Sequence, residues 1–215
     1  MNKTILIKAT ATGLVTATLL AFPAMAATKT ETREVKTFSK IELRGSADIM
    51  LEAGKAQSLT LSGSEKKLAR VKTFVEGDTL IIEQKGRSWS GEGLDITINV
   101  KALNSLVVEG AADATLNNIQ SDDFELMIAG AGDVDITGTC NEADMDIAGA
   151  GDVNARKFKC KSVDVTINGA GDAEVYATES VKATINGVGD VTIYGNPKTT
   201  RPRINGFGSV DVVNK

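Results

Sequence analysis

One phrase recurs along the second half of this chain and limits what the chain can fold into. It reads Ala129-Gly130-Ala131-Gly132-Asp133-Val134, then Ala148-Gly149-Ala150-Gly151-Asp152-Val153, then Asn168-Gly169-Ala170-Gly171-Asp172-Ala173. It continues as Asn186-Gly187-Val188-Gly189-Asp190-Val191 and fades at Asn205-Gly206-Phe207-Gly208-Ser209-Val210, with a weaker first copy at Gly110-Ala111-Ala112-Asp113-Ala114. The leading glycines at 110, 130, 149, 169, 187 and 206 are separated by 20, 19, 20, 18 and 19 residues. A step this regular means one supersecondary unit per repeat, with neighbours stacked to share a core.

Strand pattern flanks each phrase. Phe124, Leu126 and Ile128 alternate with polar residues, as do Ala143, Met145 and Ile147, then Val163, Val165 and Ile167, then Val181, Ala183 and Ile185. Period two marks a strand with one buried face. Two residues before each leading glycine stand Val108, Ile128, Ile147, Ile167, Ile185 and Ile204. In stacked parallel strands such a phase forms an internal ladder at about 4.8 Å spacing, which suits β-branched side chains. The glycines then make the corner, where positive φ is free of steric cost, and the Asp can bond nearby backbone. The expected fold is all-β: a β-solenoid, read as a right-handed parallel β-helix of about 20 residues per turn with a decorated N-terminal end. A β-sandwich or meander competes, but it does not require one phase to recur in every unit.

The rest of the chain divides simply. Residues 1–26 have the parts of a secretory signal peptide: Lys3 and Lys8, an apolar stretch, then Ala24-Met25-Ala26 as a cleavage site. No Cys stands directly after the site, and no later stretch is apolar enough to span a membrane as a helix. Residues 27–36 read as a flexible polar segment and 37–215 as a single domain. The unit at 38–51 carries the repeat grammar through Gly45-Ser46-Ala47-Asp48. Glu65 to Val71 reads as two helical turns with Ser64 as N-cap, and Glu76-Gly77-Asp78 as a hairpin turn. The 65 residues from Gly45 to Gly110 amount to roughly three degenerate units that could cap the stack. Gln84 to Gly93 reads as an exposed loop carrying Trp89 and Arg87, which could contact a sugar or protein ligand or fold back on the stack.

Cys140 and Cys160 each lie nine residues before a leading glycine, so they share a phase on adjacent units. That places them about one strand spacing apart, within reach of a disulfide, and export makes the bond reasonable. Removing residues 1–26 takes away two lysines and no acid, moving the formal charge from −4 to −6. An acidic balance argues against a nucleic-acid partner and against a basic membrane patch. It equally fits an ordinary exported protein.

The chain has no histidine, which removes Ser-His and Cys-His nucleophile pairs and the commonest zinc ligand. The remaining constellation is Asp113, Asp133, Asp152, Asp172 and Asp190, which should stack along one edge. Carboxylates at strand spacing repel by about 1 kcal/mol even in a water-like dielectric. Backbone N–H groups at the turn would offset this, as structural turn residues do. A bound calcium ion is the alternative, since hard cations take oxygen ligands. No other cofactor is implied. Asn168, Asn186 and Asn205 also share a phase and could form an amide ladder.

The early Phe-Ser-Lys-Ile-Glu-Leu-Arg-Gly-Ser-Ala-Asp-Ile unit at 38–49, the segment 96–113 and the serial Gly-Ala-Gly-Asp-Val phrases together resemble the head GIN domain family of auto-transporter adhesin heads. The likeness covers about residues 35–214. It implies an exported bacterial protein with a β-helical fold and an adhesive role, and it carries over no functional residues. The expectation is therefore a non-enzymatic adhesin-like or cell-envelope module, periplasmic, surface-bound or secreted, with protein or extracellular polysaccharide as partner. A polysaccharide lyase-like enzyme and a periplasmic scaffold are the alternatives.

Overall fold

The computed structural model describes residues 28–86 and 93–213. The expected signal peptide at 1–26 and the pair Arg87 and Trp89 lie outside the described residues. The elements run β1 (Lys29–Thr32), β2 (Lys40–Ala53), β3 (Ser58–Gly63), a one-turn helix α1 (Glu65–Leu68), β4 (Val71–Glu76), β5 (Thr79–Gln84), β6 (Asp95–Val100), β7 (Ser105–Ala131), β8 (Val134–Ile147), β9 (Val153–Ile167), β10 (Ala173–Ile185), β11 (Val191–Tyr194), β12 (Thr199–Ile204) and β13 (Val210–Val212). All thirteen strands belong to one long sheet, ordered β1-β3-β6-β2-β7-β8-β9-β10-β11-β13, with β12 on β10 and the β4–β5 hairpin on β2. The class is all-β, as the period-two pattern requires. The sheet is mixed, not wholly parallel: β1–β3, β3–β6 and β4–β5 are antiparallel.

From β2 onward every pairing in the ladder is parallel, and from β7 onward each steps by one repeat unit. The backbone N–H of Glu125 in β7 donates to the carbonyl of Asn104, just before that strand, so the chain already lies over itself one unit later. The aliphatic phase stacks as the spacing predicts: Ile128 opposes Ile147, Ile147 opposes Ile167, Ile167 opposes Ile185 and Ile185 opposes Ile204. Val108 faces Leu43 at the other end of the same column. Five of these six are buried, whereas Ile204, with no further level on it among the described residues, is 45% exposed. Cys140 opposes Cys160 in register, and the two form a disulfide with their Cα atoms 4.5 Å apart. Beside it, the rings of Phe124 and Phe158 meet edge to face at 5.3 Å.

The N-terminal end departs from three degenerate units. Gly45 lies directly against Gly110, so β2 is the level adjoining the repeats, and residues 54–104 are an excursion from it. β5 pairs with the first half of β2 and β6 with the second, and together they supply one further level. Antiparallel β4, β3 and β1 finish that end. Residues 27–36, expected to be flexible, hold β1, which pairs with β3 from Lys29↔Gly63 to Thr32↔Thr60. Arg33 ties it down by donating to the carbonyls of Val71 at 2.7 Å and Leu68 at 3.1 Å. Ser64 caps α1 as expected, its side chain accepting from the Lys67 N–H. The helix stops at Leu68, because β-branched Val71 is buried as the first residue of β4.

Among the described residues, the other end of the ladder is an open edge. Asn205 N–H donates to Ile185, and alternate residues of a parallel strand turn their N–H the same way, so Arg203 and Arg201 face β10. Pro202 then occupies a position whose nitrogen faces outward. A proline there deletes an edge donor, and the flanking arginines add charge; both discourage strand addition.

The corner explains the glycines more sharply than free φ does. Ala131, Ala150, Ala170, Val188 and Phe207 form successive parallel bridges, so the ladder continues through the turn. A Cβ on Gly149 would sit 1.9 Å from the Gly130 carbonyl oxygen, and one on Gly169 would sit 1.8 Å from that of Gly149. Close backbone approach, not a left-handed φ, demands these leading glycines. Gly132 needs both, with φ at 136°. Gly149→Ala is therefore expected to lower unfolding free energy by about 1–3 kcal/mol in urea titrations, as overpacking does. Gly93→Ala, whose Cβ meets nothing nearer than 3.9 Å, should stay within about 0.5 kcal/mol of wild type.

Candidate functional site

Stacking in register turns each outward phase into a column of side chains, and these columns are the places where a ligand could be met. The column at the corner is the Asp series. Each carboxylate accepts a hydrogen bond from the backbone N–H of the Asp one unit later: Asp113 from Asp133 at 3.3 Å, Asp133 from Asp152 at 3.0 Å, Asp152 from Asp172 at 2.7 Å and Asp172 from Asp190 at 2.7 Å. Asp190 accepts from Ser209 N–H at 2.6 Å, where the series ends. The charge-assisted bond is the offset to like-charge crowding. Asp48 and Asp95 extend the column in register beyond Asp113. Sequence reading missed Asp95, because β6 lacks the Gly phrase that signals the phase. Among the described residues, no group of three or more His, Cys, Asp or Glu is arranged to hold a metal ion.

A parallel amide column runs beside it. Asn205 Nδ2 donates to Asn186 Oδ1, Asn186 to Asn168 and Asn168 to Asp146, at 2.9, 2.7 and 2.9 Å. These side chains are consumed by the ladder and offer little to a ligand.

The column four residues before the amide column is different. Lys40, Ser105, Glu125, Asp144, Asp164, Lys182 and Arg201 follow one another at a single outward phase. They line an open groove of about 830 Å³ that crosses successive units, with Ser162, Ser180 and Thr199 along its rim. Ser105 Oγ donates to Glu125 at 3.3 Å, and Lys182 Nζ meets Asp164 Oδ2 at 2.7 Å. The other Asp164 oxygen is enclosed and, among the described residues, has no hydrogen-bond partner. Burial, followed by the charges of Asp164, Glu125 and Asp146, pushes the Asp144 carboxyl above the ordinary aspartate value, with Lys182 opposing. Three carboxylates in file between basic ends, edged by hydroxyls, can hold a polar ligand lying across the units. Sequence reading did not single out this column. Its members differ in type from unit to unit, so only register reveals them as neighbours.

Comparison with known proteins places the chain. The family profile described as "Putative auto-transporter adhesin, head GIN domain" matches residues 37–197. A solved structure described as a "putative adhesin" from Bacteroides fragilis NCTC 9343 aligns with a TM-score of 0.69 at 21% identity, covering 88% of this chain and 98% of that one. At that identity the likeness is one of fold. A "putative adhesin" from Parabacteroides distasonis ATCC 8503 aligns at a TM-score of 0.48 and 20% identity, covering 87% and 98% of the two chains. A "Putative lipid binding protein" from the same strain aligns at 0.46 and 19%, covering 86% and 97%. No curated protein matches the chain.

Two outcomes follow from the columns. Asp152→Ala removes the acceptor for Asp172 N–H and should cost about 1 kcal/mol, whereas Asp152→Asn keeps an acceptor, sheds a charge and should cost less, both read by urea unfolding. Asp144 behaves as a carboxyl whose folded pKa is raised. The stability it lends is full below the ordinary value of 3.8 and is lost as pH rises through the folded value. Asp144→Asn should therefore match wild type in acid and become the more stable protein as pH climbs above 3.8, measured by unfolding across a pH series.

Proposed function

From the premise that the chain belongs to the head GIN domain family, we propose that it is an exported, non-enzymatic, adhesin-like binding module. Its parallel ladder winds as a right-handed β-helix and presents flat outward faces to extracellular polysaccharide or protein. Residues 1–26 direct export and are removed, residues 37–215 act as one domain, and the mature protein works in the periplasm or on the cell surface without inserting in the membrane or binding nucleic acid. The corner acids serve the fold, not a cation.

The observation that carries this reading is the groove of about 830 Å³ along the Lys40–Arg201 column. It runs across units rather than into the core, so it suits a ligand that is itself extended. The return of the chain over itself every 18 to 20 residues supports the winding, the last of these steps being the Ile185↔Ile204 pairing. The Cys140–Cys160 disulfide fits an oxidising compartment. Among the described residues, no helix is long and apolar enough to cross a membrane.

The test incubates the exported protein with a panel of extracellular polysaccharides and matrix proteins, and follows retention and chain cleavage in the same tube. Retention of at least one polymer without cleavage products is expected. Cleavage that disappears with Asp144→Asn would overturn the non-enzymatic reading. Recovery of the protein in the cytosolic fraction of lysed cells would overturn export.

A further inference from the structure

The bend that opens β9 carries Arg156-Lys157-Phe158-Lys159-Cys160-Lys161. Phe158 and Cys160 are buried, while Arg156, Lys157, Lys159 and Lys161 are exposed, giving four outward cations in six residues of an acidic chain. The backbone is built to do this. Asp135 opposes Asn154 and Thr137 opposes Lys157, so β9 holds one more residue than β8 here. On the other side Val175 opposes Ala155 and the next residue, Tyr176, opposes Lys159, so β9 holds three more than β10. The extra residues let Arg156 and Lys157 both point outward. The disulfide at Cys160 fixes the strand between Lys159 and Lys161.

Two stacked tyrosines lie against two of the four cations. Tyr176 and Tyr194 are register partners. The Arg156 guanidinium lies 4.4 Å from the Tyr194 ring centroid, and Lys159 Nζ lies 5.9 Å from that of Tyr176. Such contacts orient a cation without neutralising it. Among the described residues, none of the four cations forms an ion pair. Alongside lies a shallow hollow of about 580 Å³, lined by Lys159, Lys161 and Tyr176 together with Thr139, Asn141 and Thr178. The carboxylate bordering it, Asp122, already accepts a hydrogen bond from Asn141 Nδ2 at 2.6 Å.

We propose that this strip is a binding site for an anionic polysaccharide, one bearing carboxylate or sulfate groups. The cations supply the charge and the hydroxyl and amide side chains meet sugar hydroxyls. Along a strand, alternate side chains recur about every 6.7 Å, so the strip offers a row of cations to a chain of regularly spaced anions. A single-stranded nucleic acid fits less well. Its binding rests on bases stacked on aromatic faces within a broad basic groove, but here cations cover the ring faces and the strip is one strand wide. This site lies apart from the Lys40–Arg201 groove. It rests on the proposed role only in that the protein binds an extracellular polymer.

The test measures binding of the exported protein to polygalacturonate, heparin, neutral dextran and oligothymidylate by calorimetry over a salt series. The variants are a quadruple Arg156→Gln, Lys157→Gln, Lys159→Gln, Lys161→Gln chain and a control Lys55→Gln, Lys101→Gln chain. The wild type should bind polygalacturonate or heparin, not dextran, with affinity falling as salt rises. The quadruple variant should bind at least about tenfold more weakly, the order of one lost charge-assisted contact. The control should bind like wild type. Lysine acetylation read by mass spectrometry gives a measure independent of the variants: the acidic polysaccharide should shield Lys157, Lys159 and Lys161 in the wild type. Equal binding by the quadruple variant, or unshielded lysines, would overturn the strip and leave the binding-module reading standing. Equal affinity for oligothymidylate would overturn the sugar assignment. Binding to protein or dextran alone would end the strip proposal only, and binding to no polymer in either panel would end both.

Discussion

Backbone-to-backbone contact at the corner is the constraint on which the rest depends. Between Gly110 and Gly206 each level approaches its neighbour so closely that a single methyl would meet a carbonyl oxygen at 2.0 Å or less. With the corner closed that tightly, the strands on either side have no freedom to slip. A slip of one residue would turn every inward side chain outward. The corner therefore fixes register for the isoleucine column, for the cysteine pair and for every outward column alike.

Register of that kind has a cost as well as a benefit. It brings like to like in the interior, where Ile on Ile is favourable, and also on the surface, where Asp on Asp is not. Each surface column meets that problem differently. At the corner, every carboxylate takes a backbone N–H from the next level. In the amide column, Asn both donates and accepts, so the stack is self-complementary. In the groove Glu125 takes the Ser105 hydroxyl and Asp164 pairs with Lys182 through one oxygen, while among the described residues its other oxygen has no hydrogen-bond partner. Burial first, and then the neighbouring carboxylates, pushes the Asp144 carboxyl above the ordinary aspartate value there. The corner and amide columns are the ones whose side chains bond from level to level. The groove is where side-chain capacity remains for something else.

Legibility in the sequence followed the same division. The isoleucine phase, the disulfide, the corner acids, the amide ladder, the Ser64 cap and the β4–β5 hairpin were all readable, because each is a same-phase or short-range relation. The N-terminal end was not. β5 and β6 stack on β2 across an excursion with no repeat phrase, and the antiparallel strands beyond them make the sheet mixed. Asp95 was hidden for that reason. The groove was hidden because its members change identity from level to level. The basic strip was visible as letters, but its meaning depends on bulges against both neighbours, which periodicity alone does not show.

The two candidate surfaces read a ligand along different axes. In the groove, neighbours are one level apart, about 4.8 Å, and charge changes sign along the file from carboxylates to Lys182 and Arg201. A polymer lying there crosses the strands and meets alternating demands. In the strip, neighbours lie on one strand about 6.7 Å apart and all carry positive charge. A polymer lying there follows the strand and must be anionic. Stacking in register multiplies similar outward places and varies them slowly from one unit to the next. Repetition of that sort matches a ligand that also repeats, and the bend in β9 is where the repetition is broken to put four cations in one row.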